Sequence, residues 1–149
     1  MFYGNFQSST QKAQFKAALT LLERVFGQVY AADNLIGLQR SAGFRDDPKF
    51  IAAVRKHAVT AQERSSLWRL HTLCWAAQNV LPLEGDFVEC GVWKGFSMGV
   101  VCELLEFDKQ GRDLYLYDTF EGIPDAYNSE NRSTAIYERE NRTPPSNIH

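Results

Sequence analysis

From Ser8 to Gly27 apolar residues return at helical intervals, with Phe15, Ala18, Leu19, Leu22, Val25 and Phe26 recurring along the chain. Ser8, Ser9 and Thr10 offer N-caps and Gly27 supplies a stop, so the spacing predicts an amphipathic helix. Between Tyr30 and Gly43 the period is lost, and Asn34-Leu35-Ile36-Gly37-Leu38 is an apolar island expected in a loop or a brief helix. Asp46 and Asp47 ahead of Pro48 combine a cap with proline at the first helical position, and Phe50, Ile51, Val54 and Ala58 mark a second short helix. Thr60-Ala61-Gln62-Glu63 has the form of a capping box. It opens a third helix in which Leu67, Leu70, His71, Cys74, Ala77 and Leu81 share one face. Pro82 and the Glu84-Gly85-Asp86 turn end it, so residues 1–85 read as a mainly helical cap or lid.

The period changes at Asp86. Phe87-Val88-Glu89-Cys90-Gly91-Val92 has too few polar positions to alternate, as expected of a strand buried on both faces, which would make Cys90 a packing residue. Ser97 to Phe107 returns to helical spacing through Val100, Val101, Leu104 and Leu105, and after the Gln110–Asp113 turn Leu114-Tyr115-Leu116-Tyr117 forms a second strand ending at Asp118. Residues 86–124 thus make one β-loop-α-β unit, the mark of a parallel sheet with a right-handed crossover. Beyond Pro124 the pattern fails: Asn128 to Arg142 is polar and charged, Ile136-Tyr137 is its one consecutive apolar pair, and Pro144-Pro145 follows. Residues 125–149 lack the further strands of a doubly wound sheet, so the expectation is a chain truncated after the second strand.

Length and composition bound the rest. One domain is expected of 149 residues; 44% hydrophobic, 23% charged and a net charge of −2 describe a soluble globular protein without an electrostatic footprint for nucleic acid. Met1 to Thr10 lacks the basic and apolar regions of a signal peptide, and no run reaches transmembrane length. A cytoplasmic protein with reduced Cys74, Cys90 and Cys102 follows, and no membrane partner is expected. The glycosylation sequons at Asn131 and Asn141 are then chance matches. Whether the chain forms a homo-oligomer stays open.

Chemistry concentrates where the first strand of the unit turns into its helix. Such a turn aims backbone N–H groups and the positive end of a helix over the strand's C-terminal edge. Gly91 lets a ligand approach the backbone, Gly95 permits close helix–strand packing, and Ser97 can cap the helix or bond the ligand. The phosphate-binding P-loop fails, because Lys94 precedes Gly95. The dinucleotide fingerprint fails too, with Trp93 and Phe96 where glycines belong. What remains is a pair of carboxylates: Glu89, two residues before Gly91, and Asp118 at the end of the next strand. A carboxylate at Asp118 suits the two adjacent hydroxyls of a ribose, and Glu89 could accept from an ammonium group. Glu89 would repel a diphosphate, so the arrangement fits S-adenosylmethionine better than a pyrophosphate-bearing cofactor.

Glu89-Cys90-Gly91-Val92-Trp93-Lys94-Gly95-Phe96-Ser97, followed by Leu116-Tyr117-Asp118-Thr119-Phe120-Glu121-Gly122-Ile123-Pro124, resembles the macrocin O-methyltransferase family, the TylF and MycF type of macrolide sugar methyltransferases. Leu35-Ile36-Gly37 and Trp68-Arg69-Leu70-His71 resemble that family's N-terminal cap, and the likeness runs from about residue 20 to residue 124. The resemblance implies an α/β, Rossmann-like class I methyltransferase sheet beneath the helical cap. By it, Glu89, Gly91, Val92, Gly95 and Ser97 form the adenosylmethionine loop, while Asp118, Thr119 and Phe120 hold ribose and adenine. It further implies transfer of a methyl group to a hydroxyl of a sugar or related small molecule, with a Mg²⁺ ion and a catalytic aspartate on later strands. No part of this chain matches those later motifs, and the catalytic residues stay unassigned. Phe96 departs from the family's small residue, usually glycine.

Other residues carry plainer expectations. Trp93 packs the loop against the cap or stacks on a ligand, Lys94 is solvated, and His57 and His71 are satisfied or surface histidines. Asp125, Glu130, Glu138 and Glu140 have no strand to hold them as metal ligands. The leading reading is an O-methyltransferase whose metal and base lie outside this chain, so that the chain alone is expected to be inactive. Two alternatives are a non-catalytic adenosylmethionine-binding or interaction fragment and a nicotinamide-binding Rossmann protein.

Overall fold

The computed structural model describes residues 6–120. Helix α1 spans Ser9–Phe26, capped by the Ser8 hydroxyl on the Gln11 N–H and stopped at Gly27, whose φ of 75° is open to glycine. Helix α2 spans Pro48–His57, with an Asp47 carboxylate oxygen accepting from the N–H groups of Lys49 and Phe50 at 2.9 and 3.2 Å. These two helices start and stop where the caps predict.

The apolar island is neither loop nor helix. Strands β1, Val29–Ala32, and β2, Leu35–Leu38, form an antiparallel hairpin, joined by Asp33 and Asn34 at φ 50° and 59°. Two left-handed residues in succession make the turn whose twist suits a hairpin, and Asp and Asn tolerate it. Strands of four residues are too short to display alternation. The hairpin is tied down at both ends: the Asp33 carboxylate takes Arg69 Nε and Nη2 at 2.7 and 2.6 Å, and the Tyr30 hydroxyl accepts from the Trp68 N–H at 3.2 Å.

The third helix is two helices. Ala61–Ser65 forms α3 behind a complete capping box, and Leu67–Val80 forms α4. The hydroxyls of Ser65 and Ser66 both return to the Gln62 carbonyl, at 2.7 and 3.0 Å, and Ser66 leaves helical geometry between the two segments. Serine hydroxyls competing for backbone carbonyls account for the break.

Strands β3, Phe87–Cys90, and β4, Leu114–Tyr117, pair in parallel, Phe87 opposite Leu114 and Cys90 opposite Tyr117, and α5, Phe96–Leu105, connects them. Helix α5 is the centre of the molecule: Val100 and Val101 are 0% exposed, and α2 and α4 both pack on it. Gly99 makes the α2 contact close, because a Cβ there would stand 2.8 Å from Nδ1 of His57. His57 is therefore neither satisfied nor superficial: its Nε2 is buried, has no hydrogen bond among the described residues and stands 3.8 Å from a Glu103 oxygen. Burial is the main cause of its lowered pKa. His71 stacks on Phe44 with ring centroids 4.8 Å apart. One buried cluster joins Phe44, Phe50, Val54, Leu70 and Cys74 to Val100, Val101 and Leu105.

The sheet corrects the expectation of a strand buried on both faces. Phe87, Leu114 and Leu116 pack against the cluster, but Val88 is 62% exposed, Tyr117 58%, and Cys90 and Tyr115 are exposed beside them. A continuous apolar run signals cover on both faces; among the described residues α5 supplies one cover and nothing supplies the other. Among the described residues Cys90 is therefore exposed and packs no core.

Candidate functional site

The loop from Gly91 to Gly95 leaves the C-terminal end of β3 through three left-handed residues, Gly91 at φ 88°, Trp93 at 51° and Gly95 at 73°. Two of the three are glycines, for which this conformation is ordinary; Trp93 has no such freedom. Gly91 N–H donates to the Tyr117 carbonyl at 2.8 Å, continuing the β3–β4 ladder by one bond, and Gly95 N–H closes the turn on Val92 at 2.9 Å. Gly95 is the N-cap of α5, and no side chain caps this helix. Ser97, half-buried in the first turn, therefore does not act as its cap. The positive end of α5 thus opens on the loop.

Asp118, next after β4, gathers the neighbouring backbone. One carboxylate oxygen accepts from Trp93 N–H at 2.6 Å; the other accepts from Thr119 N–H at 2.7 Å and from its hydroxyl at 3.3 Å. The nearby Phe120 N–H also favours the charged carboxylate. These donors, Trp93 first, hold the Asp118 carboxyl below its usual range. Glu89 behaves oppositely. Its Oε2 is buried with no hydrogen-bond partner among the described residues, and burial, then the charge of Asp118, pushes its pKa up. A buried acidic oxygen with no donor among the described residues calls for an explanation.

All eight sequence-derived positions lie on one strand-loop-helix and the end of the adjacent strand. Glu89 and Asp118 influence each other electrostatically; Gly91 and Gly95 shape the loop; Val92 is buried beneath it; Thr119 and Phe120 continue outward, both exposed. Phe96 is buried in the core cluster. Lys94 is not simply solvated, since its Nζ stands 4.8 Å from the centre of the Trp93 ring. The bond from Trp93 to Asp118 was not legible, because the donor is a backbone group. Two hollows lie elsewhere: about 690 Å³ between the end of α1 and the Arg40–Asp46 loop, and about 360 Å³ beside α5, lined by His57, Cys102 and Leu116. Among the described residues no three His, Cys, Asp or Glu side chains come together as a metal-ligand set, and no helix is long and apolar enough to cross a membrane.

The chain is mixed α/β, with a glycine loop between a strand and a helix and two carboxylates at adjacent strand ends. The model of the macrocin O-methyltransferase (TylF) family matches residues 56–144, more than half of the chain, and the protein belongs to that family. Neither the curated proteins nor the solved structures give a match.

Proposed function

We propose that the chain binds S-adenosylmethionine over Gly91–Ser97 on a Rossmann-like sheet, and that it serves the transfer of a methyl group to a hydroxyl of a sugar or related small molecule. Family membership supports the methyltransferase class. The observation that carries the cofactor is the orphaned, buried Glu89 oxygen at the foot of the glycine loop. An ammonium group would satisfy it, whereas a diphosphate would meet two carboxylates.

In this reading Glu89 accepts from the amino group of the methionine moiety. The open N–H groups at the start of α5 face its carboxylate, and Asp118 takes ribose hydroxyls beside Thr119 and Phe120. The cofactor, when bound, supplies an electrophilic methyl carbon. The chain's own contribution is orientation: a loop fixed at Gly91 by Tyr117 and at Gly95 by Val92 holds the nucleoside so that an acceptor oxygen can approach in line. A Mg²⁺ site and a general base are expected of the family, but the described residues offer no donor set for the ion, and no step is assigned to it.

Calorimetric titration with S-adenosylhomocysteine tests the proposal. The folded parent chain is expected to bind and to show no response to NAD. Asp118→Asn should weaken binding about tenfold, the size of a lost charge-assisted hydrogen bond, and Gly91→Trp should abolish it. A folded parent that does not bind sinks the cofactor reading.

A further inference from the structure

Helix α1 has 18 residues and not one of them is buried. Among the described elements it meets chiefly β1, the strand that follows it. Phe15, Leu19, Leu22 and Phe26 line a half-buried side, where the ring centroids of Phe6 and Phe15 are 5.3 Å apart. A second side is open among the described residues: Leu21 is 60% exposed and Val25 72%, with Gln11, Gln14 and Ala18 exposed in line with them. A helix in water draws most of its stability from packing an apolar face, so a helix that buries nothing calls for a partner.

Gln11, Gln14, Ala18, Leu21 and Val25 are spaced by three, four, three and four residues. That is the seam of a two-helix coil, with Ala18 and Val25 at one kind of core position and Gln14 and Leu21 at the other. The charged residues of the helix, Lys12, Lys16, Glu23 and Arg24, all lie about 100° or more round the axis from that line. An uncharged seam meets its own copy without repulsion and gives a charged partner nothing to recognise. The seam also fits itself. Packed antiparallel about a two-fold between Leu19 and Thr20, Ala18 falls opposite the partner's Leu21, small against large, and Gln14 opposite the partner's Val25. Arg24 then lies beside the partner's Ala17, away from the partner's Arg24. Antiparallel packing pairs opposite ends of the helix dipoles and keeps the rest of each chain, which resumes at Val29, at opposite ends of the pair.

We infer that this face of α1 is a self-association surface, and that a second copy of the chain occupies it as an antiparallel helix pair. One helix face about 27 Å long covers less than the roughly 800 Å² per partner of a stable interface, so the dimer is weak. The seam lies ahead of residues 56–144, which the family model matches, and it stands whether or not the chain binds a cofactor.

Sedimentation equilibrium of the full chain from about 5 to about 500 µM should show a monomer passing into a dimer, with a dissociation constant on the order of 100 µM. The double variant Leu21→Glu, Val25→Glu should remain monomeric over the whole range, because each change puts a charge into the seam, with circular dichroism confirming the fold. Gln14→Leu should tighten the dimer at least about tenfold by adding an apolar core contact, a gain that loss of folding cannot imitate. Gln14→Cys and Val25→Cys, each carried with Cys90→Ser, should cross-link to each other in a mixture and not to themselves. A parent chain that is monomeric throughout the range, or a dimer that neither seam variant moves, overturns the inference. Cross-linking of each cysteine variant only with itself overturns the antiparallel packing.

Discussion

Glu89 sets stability against function at a single residue. Its carboxyl titrates above the ordinary value in the folded chain because burial, and then Asp118, oppose its charge. A group whose folded pKa lies above its unfolded one contributes stability that is present below the unfolded value, near 4.5, and is lost as pH rises through the folded value. At neutral pH the ionised carboxylate therefore opposes folding. Glu89→Gln removes the charge and should raise the thermal midpoint at pH 7 while leaving that at pH 4 unchanged. The same variant should bind S-adenosylhomocysteine more weakly, having lost its charged acceptor. A variant no more stable than the parent at pH 7 would show that Glu89 already has a compensating partner. His57 has the opposite sign: burial lowers its pKa, so it favours unfolding as pH falls below 6.5, and the pH 4 comparison needs the same His57 in both chains.

At the scale of elements, the joint between α2 and α3 depends on one buried carboxylate. Glu63 is 4% exposed, and its Oε2 accepts from the N–H groups of Val59 and Thr60, each at 2.7 Å, while the Thr60 hydroxyl accepts from Glu63 N–H. Glu63→Ala strands two part-buried donors and should cost about 2–3 kcal/mol; Thr60→Ala should cost about 1 kcal/mol. Urea denaturation should rank them in that order, and a Thr60 variant as damaging as the Glu63 variant would contradict the assignment. Such caps were readable in the sequence because their chemistry is local, a side chain meeting a backbone three residues away, as at Ser8, Asp47 and Thr60. The glycine loop and the Glu89–Asp118 pair were readable for the same reason, since residue type and spacing define them. The hairpin was not, because its strands have four residues each and its turn is Asp33-Asn34, without glycine. Nor was the break at Ser66, where two hydroxyls compete for one carbonyl, or the crowding of backbone donors on Asp118, which no side-chain pattern reports.

For the whole molecule, the unanswered surface is the second face of the β3–β4 sheet. Val88, Cys90, Tyr115 and Tyr117 are exposed there together, while Phe87, Leu114 and Leu116 on the opposite face pack beneath α5. Contiguous apolar surface of this kind calls for cover by protein, and Cys90 reports whether it has any. The three thiols differ sharply in environment: Cys74 is buried, with its pKa pushed up to about 11, Cys102 is half-buried with its thiol raised by burial and by Glu89, and Cys90 is exposed. Only the thiolate reacts, and only where reagent can reach it. At pH 8 an aromatic disulfide reagent should therefore modify one thiol of the native chain rapidly and the other two only as the chain opens. Cys90→Ser should remove the rapid phase. A native chain with no rapid thiol, which gains one in mild denaturant before its helices melt, would mean that the face is covered in solution by residues outside 6–120 or by a second copy. The dependence of that protection on protein concentration separates these two, because only a second copy dissociates on dilution.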